Sequence, residues 1–205
     1  MNILLDALPE SVEIDGADYP VNWGYRTFIL IEICIFDTKI SDNVRLATAM
    51  NYFYVDVPPD PSQAFEKMMW FYRGGVEEKK TKSKGLNAKR CYCFEQDAAY
   101  IYSAFKTQYN LDLNELFSKD LHWWKFKALF ESLDDELKMS KIMGYRLTNT
   151  TGMDKGQKKF YNEMKSQYAL DVETNVDSKM ALAKRNADMQ KYVSRRASEV
   201  NSGQI

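Results

Sequence analysis

The chain contains one histidine, His122, and it stands inside the aromatic block Leu121-His122-Trp123-Trp124-Lys125-Phe126-Lys127. General acid–base work needs a titratable group within reach of the reacting proton, with other groups fixed around it. No nucleophile is fixed near His122 by sequence spacing, so it reads as a helix histidine that is hydrogen-bonded or partly exposed. Cys91 and Cys93 flank a single residue. A structural zinc site needs four ligands at characteristic spacings. Two cysteines and one distant histidine do not supply them, and the pair reads as packing residues at the start of a helix. Gly74-Gly75 and the lysines after it lack the spacing of a phosphate-binding loop. Asp134-Asp135-Glu136 stand where a helix begins, and negative charge there complements the helix dipole. No catalytic residue, cofactor or metal is expected, and the function expected is binding.

Two segments have the composition for binding. Residues 79–90 are rich in lysine. Readers of nucleic acid pair basic groups with stacking aromatics or a groove-entering helix. Here the aromatics lie outside the lysine run, so nucleic acid is a weak alternative. The aromatic block is the stronger candidate. Most of its rings should be core, yet one edge could line a groove, because Trp and Tyr dominate interface hot spots.

The whole chain must carry these segments. It has 205 residues, 45% hydrophobic and 14% aromatic. A compact chain of this length buries about 70% of its unfolded surface. Net charge is −1, which gives no global field toward nucleic acid or anionic lipid. The charge is uneven along the chain. Residues 1–75 hold 11 acidic and 5 basic side chains, whereas 76–90 hold 6 basic and 2 acidic. Three cysteines make no disulfide framework and point to a reducing cytosol. The N-terminus lacks the basic and small-residue features of a signal peptide. The apolar run Phe28–Phe36 is too short to span a membrane.

The elements expected are mostly helical. Alternation around Gly16 predicts a small β-hairpin over residues 12–21, with Pro20 at an edge or strand end. Residues 23–38 are rich in β-branched side chains and could form a buried strand. Their length and a capping Asn22 favour a helix. A second helix should start at Ser41 or Asp42 and run to about Tyr54, where Pro58 and Pro59 follow. Asp60-Pro61-Ser62-Gln63 has the form of a capped helix start with Pro at the first position. Ala64, Phe65, Met68, Met69 and Tyr72 should form its stripe, and Gly74-Gly75 its end. Residues 75–90 read as a basic linker or exposed loop. Further helices are expected from Phe94 to Tyr109, over 115–133, from Asp134 as cap to about Leu147, over 154–169 and over 177–199. The last has a thin, Ala-rich stripe, so it reads as a loosely packed tail or a partner-docking arm. The fold class expected is mainly α: a helical domain over 1–170 with an N-terminal β-hairpin, and a C-terminal helical tail over 171–205.

LPESVEIDGADYPVNWGYR, FEQDAAYIYSAFKTQYNLDL, LHWWKFKALFESL and IMGYR occur in that order. Together they resemble the bacteriophage gene-product-fifteen family, from tailed phages and prophages of Gram-positive bacteria, over about residues 8 to 170. The block Leu121–Phe126 carries the resemblance, with Asp97, Tyr100, Tyr102 and Phe105 before it and Tyr145-Arg146 after it. Asn22-Trp23-Gly24-Tyr25 departs from the usual form, in which a small polar residue and an Asp-Phe pair precede the Arg matched by Arg26. The resemblance implies a tail assembly chaperone. Such a protein would hold the tape measure protein soluble and bring tail-tube subunits, the major tail protein, around it. It would act in the host bacterial cytoplasm and be absent from the mature virion. Self-association is possible, guided by the uneven charge. The alternatives are a head–tail connector or tail component retained in the particle, and a nucleic-acid-associated regulator using residues 79–90. Tyr102, Trp123 and Trp124 are the residues expected to face a partner, with Arg146 as a charged contact or structural anchor.

Overall fold

Asp15 and Gly16 both adopt positive φ, 51° and 77°. Two such residues in succession make the tight turn whose twist matches paired strands. Ser11–Ile14 (β1) therefore folds back on Ala17–Pro20 (β2), antiparallel and in register from Ser11–Pro20 to Ile14–Ala17. Pro20 sits at the strand end, as expected. Val12 and Ile14 point into the core. The computed structural model describes residues 2–77, 90–115 and 121–171. Among these residues the rest of the regular structure is seven helices, and the fold is mainly α.

The first helix, α1, covers Tyr25–Phe36 and resolves the strand-or-helix ambiguity. Its N-cap is Gly24, with no side-chain cap bond, so the expected Asn22 cap is not formed. Asn22 instead donates its side-chain N–H to the Tyr52 carbonyl at 2.8 Å. That bond ties the hairpin exit to the end of α2 (Asp42–Phe53). In α3 (Pro61–Tyr72) the Asp60 carboxylate accepts from the Ser62 and Gln63 amides, as the sequence predicts. Gln63 reaches the Asp60 carboxylate and Asp15, where a standard capping box would reach the Asp60 backbone N–H. The buried face of α3 is Ala64, Met68 and Phe71, while Phe65, expected on that face, is exposed. The helix is turned by Phe71, which stacks on Phe28 at 5.5 Å and meets Phe53 edge-on at 5.3 Å. Gly74 and Gly75 end it at positive φ.

Helix α4 covers Ala98–Tyr109, and Phe94 lies in the turn before it. Asn110 closes α4 in the left-handed conformation, φ 50°. Helix α5 covers Trp123–Glu131; of the helix expected over 115–133, residues 116–120 lie outside the described residues, and Leu121 and His122 are not helical. The backbone before it is committed elsewhere: the Tyr25 amide donates to the Leu121 carbonyl and the Trp123 amide to the Trp23 carbonyl. Helix α6 covers Lys138–Leu147 with Leu137 as N-cap. Asp134 caps only the preceding turn, through the Glu136 amide. Helix α7 covers Lys155–Gln167, within the helix expected over 154–169; it is capped by Asp154 and buries none of its residues fully. Residues 78–89 of the basic linker or exposed loop expected over 75–90, and the tail helix expected over 177–199, lie outside the described residues.

The core is a continuous set of rings. Phe28 stacks on Trp123 at 4.9 Å, and Phe126 lies between Tyr25 and Phe105, each at 4.9 Å. Burying each such ring contributes about 1.5–3 kcal/mol, and ring pairing adds about 0.5–1.5 kcal/mol.

Candidate functional site

Helix α5 organises the centre of the molecule, and its first residue is placed by His122. The His122 Nδ1 accepts the Trp124 amide at 3.1 Å and its Nε2 lies 3.0 Å from the Pro9 carbonyl. Both contacts are satisfied by the neutral ring carrying its proton on Nε2. Burial pushes the pKa of His122 below 6.5 and favours that form. His122 is therefore a helix cap, 6% exposed, and is held in place by contacts from both ends of its ring.

Three of the four residues expected to face a partner are interior. Trp124 is 5% exposed, donates its indole N–H to the Phe71 carbonyl at 2.8 Å and sits edge-on to Trp70. Trp123 is 3% exposed and donates to the Tyr72 carbonyl at 2.9 Å. Arg146 is an anchor: its guanidinium grips the Asp97 carboxylate at 2.6 and 3.0 Å. It also donates to the carbonyls of Cys91 and Tyr168. The Cys93 amide donates to Asp97 as well. A buried ion pair with its hydrogen bonds filled fixes geometry more than it adds stability. Tyr102 is half-buried, and its hydroxyl donates to Asp112 at 2.8 Å.

A second buried polar centre lies on α1. The Glu32 carboxylate accepts from the hydroxyls of Tyr72 (2.9 Å) and Tyr92 (3.3 Å). Burial raises the pKa of Glu32, and those hydroxyls with the Arg90 guanidinium oppose the rise. Burial also pushes both phenols well above their ordinary value.

Between α5 and α6 the packing is incomplete, leaving a cavity of about 450 Å³. One wall is Tyr72, Trp123, Phe126 and Phe130. Tyr92 and Phe94 close a second side, with Cys91 beside them. The third is the face of α6 that carries Ser140, Met143 and Gly144. These three follow at i, i+3 and i+4, one face of a helix. A Cβ on Gly144 would meet no atom within 4 Å. Lys127, Glu131 and Asp135 also line the cavity and bring charge to it.

The structure thus brings Trp123 to the cavity and leaves Trp124, Tyr102 and Arg146 elsewhere. The residues missed from sequence are Ser140, Met143 and Gly144. The signal the sequence offers for them is a glycine inside a helical pattern, which is unfavourable to the helix by about 1 kcal/mol relative to alanine. Among the described residues no group of His, Cys, Asp and Glu has the arrangement of a metal site, and no helix is long and apolar enough to cross a membrane.

Residues 4–170 match the family model described as Bacteriophage Gp15 protein. No curated protein and no solved structure matches the chain.

Proposed function

Because the chain belongs to the Bacteriophage Gp15 protein family, we propose that it is a tail assembly chaperone, a non-enzymatic protein that binds the tape measure protein and the major tail protein in the host cytoplasm. Family membership supports a phage structural or morphogenesis role. The finer reading rests on one observation, the aromatic-walled cavity beside α5. A long amphipathic helix aggregates when alone, and a groove that takes its apolar anchors keeps it soluble. Pockets of this size, mostly apolar with a few polar groups, are the usual place for such an anchor.

The test is co-expression with a fragment of the tape measure protein. The chain should raise the soluble fraction of the fragment several-fold. Gly144→Leu, which adds a side chain at the rim of the cavity, should remove that gain while the circular dichroism spectrum stays unchanged. If the unaltered chain leaves the fragment as insoluble as before, the chaperone reading is wrong. If the protein is found in purified virions by mass spectrometry, it is a retained component of the particle.

A further inference from the structure

After α7 the chain is held beside the cavity. The Arg146 guanidinium donates to two carbonyls at once, that of Tyr168 at 2.6 Å and that of Cys91 at 2.9 Å. Cys91 belongs to the cavity wall. Gln96 then fixes the next residues, donating to the Ala169 carbonyl at 2.8 Å and accepting the Asp171 amide at 2.9 Å. The chain therefore leaves the domain one guanidinium away from the cavity wall. Beyond Asp171 it has 34 more residues, and Met180 is the first long apolar side chain among them. Met180 stands 12 residues after Tyr168. A stretch of that length spans at most about 40 Å. That is several times the width of a cavity of about 450 Å³. Methionine is unbranched and polarizable, so it fills irregular gaps and makes favourable contacts with aromatic rings. The cavity offers it Trp123, Phe126 and Phe130. A segment tethered this closely acts at an effective concentration on the order of millimolar, well above that of a dilute partner.

We propose that the chain's own C-terminal segment, residues 172–205, covers this cavity in the free protein, with Met180 seated against Trp123, Phe126 and Phe130. The segment takes the apolar wall out of water until a partner displaces it. The inference adds regulation to the docking role proposed above and rests on that role for its purpose: a partner's anchor must compete with Met180 for one site.

Cys91 in the cavity wall makes the contact testable by cross-linking in the full chain. In a Cys34→Ala, Cys93→Ser background, Met180→Cys is oxidised with glutathione disulfide, and Ser202→Cys, near the chain end, serves as the control. The disulfide to Cys91, identified by peptide mass spectrometry, should form about ten-fold faster from position 180 than from position 202, at a rate independent of protein concentration. In the same background, Met180→Asp should expose Cys91 and speed its alkylation by N-ethylmaleimide several-fold, with an unchanged circular dichroism spectrum. Equal cross-linking from both positions, or alkylation that Met180→Asp leaves unchanged, would overturn the proposal. So would a cross-link whose rate rises with protein concentration, because the occupant would then be the tail of a second copy. The docking role fails separately. If the position-180 cross-link forms but the unaltered chain does not solubilise the tape measure fragment, the tail contact stands and the docking role falls. If the fragment is solubilised and position 180 shows no preference, the docking role stands and the tail contact is rejected.

Discussion

Trp123 and Trp124 are neighbours in sequence, equally buried, and each donates its indole N–H to a carbonyl at the end of α3. Their surroundings differ. Trp124 is enclosed by Trp70, Phe71 and the backbone of Gly75, where a Cβ would come within 2.5 Å of the ring. That contact requires glycine twice over, since Gly75 also has φ +76°. Trp123 stacks on Phe28 and Tyr72, but its other side borders the cavity, where α6 presents Ser140 and Gly144. One side of α5 is filled to the density of a protein interior and the other is not. The residue type does not decide this; the opposing element does.

The largest expected effect tests the filled side. Trp124→Ala removes an enclosed ring and its hydrogen bond to the Phe71 carbonyl, and it should cost about 3–5 kcal/mol by urea denaturation. Trp123→Ala should cost less, because it enlarges a space that already exists. Equal losses would erase the distinction between the two sides.

His122 lies between the two sides and gives the next effect, which depends on pH. Its folded pKa is lowered by burial, below 6.5. A group depressed in this way contributes stability that is complete above the unfolded pKa and is lost as pH falls through the folded one. Glu32 works in the opposite sense. Its folded pKa is raised above 4.5, so its contribution is complete below that value and is lost as pH rises through the folded pKa. His122→Asn, which can still cap α5, isolates the histidine. The urea midpoint of the unaltered chain should fall from pH 7 toward pH 5, and the variant should lose most of that slope. An undiminished slope in the variant would mean that the cap is not the titrating group.

What could be read from the sequence follows the range of the interactions involved. The Gly16 turn and the Asp60-Pro61 helix start are local, and each stands where the residues predict it. The misplaced features are set by partners far away in sequence. Asn22 is drawn from its capping role by the Tyr52 carbonyl. The start of α5 is displaced by pairing between Gly24 and His122, about a hundred residues apart. Periodicity showed that the rings of the aromatic block point several ways, which is why most are core. It did not show which edge stays open, because that edge is defined by the small residues of a different helix.

The smallest expected effect has the opposite sign and tests the open side. Gly144 sits within α6 at an ordinary helical φ, and nothing lies within 4 Å of where its Cβ would be. Helix propensity therefore favours alanine there by about 1 kcal/mol. Gly144→Ala should raise the thermal midpoint by a few degrees, as a gain of this size does in a chain of about 150–250 residues. A glycine at such a site has a cost in stability. The added methyl also takes up room at the cavity wall. The stabilised variant should therefore bind a partner anchor more weakly than the unaltered chain, in the same direction as Gly144→Leu but by less. A variant that gains stability and binds as before would show that the open side of α5 is merely a packing defect.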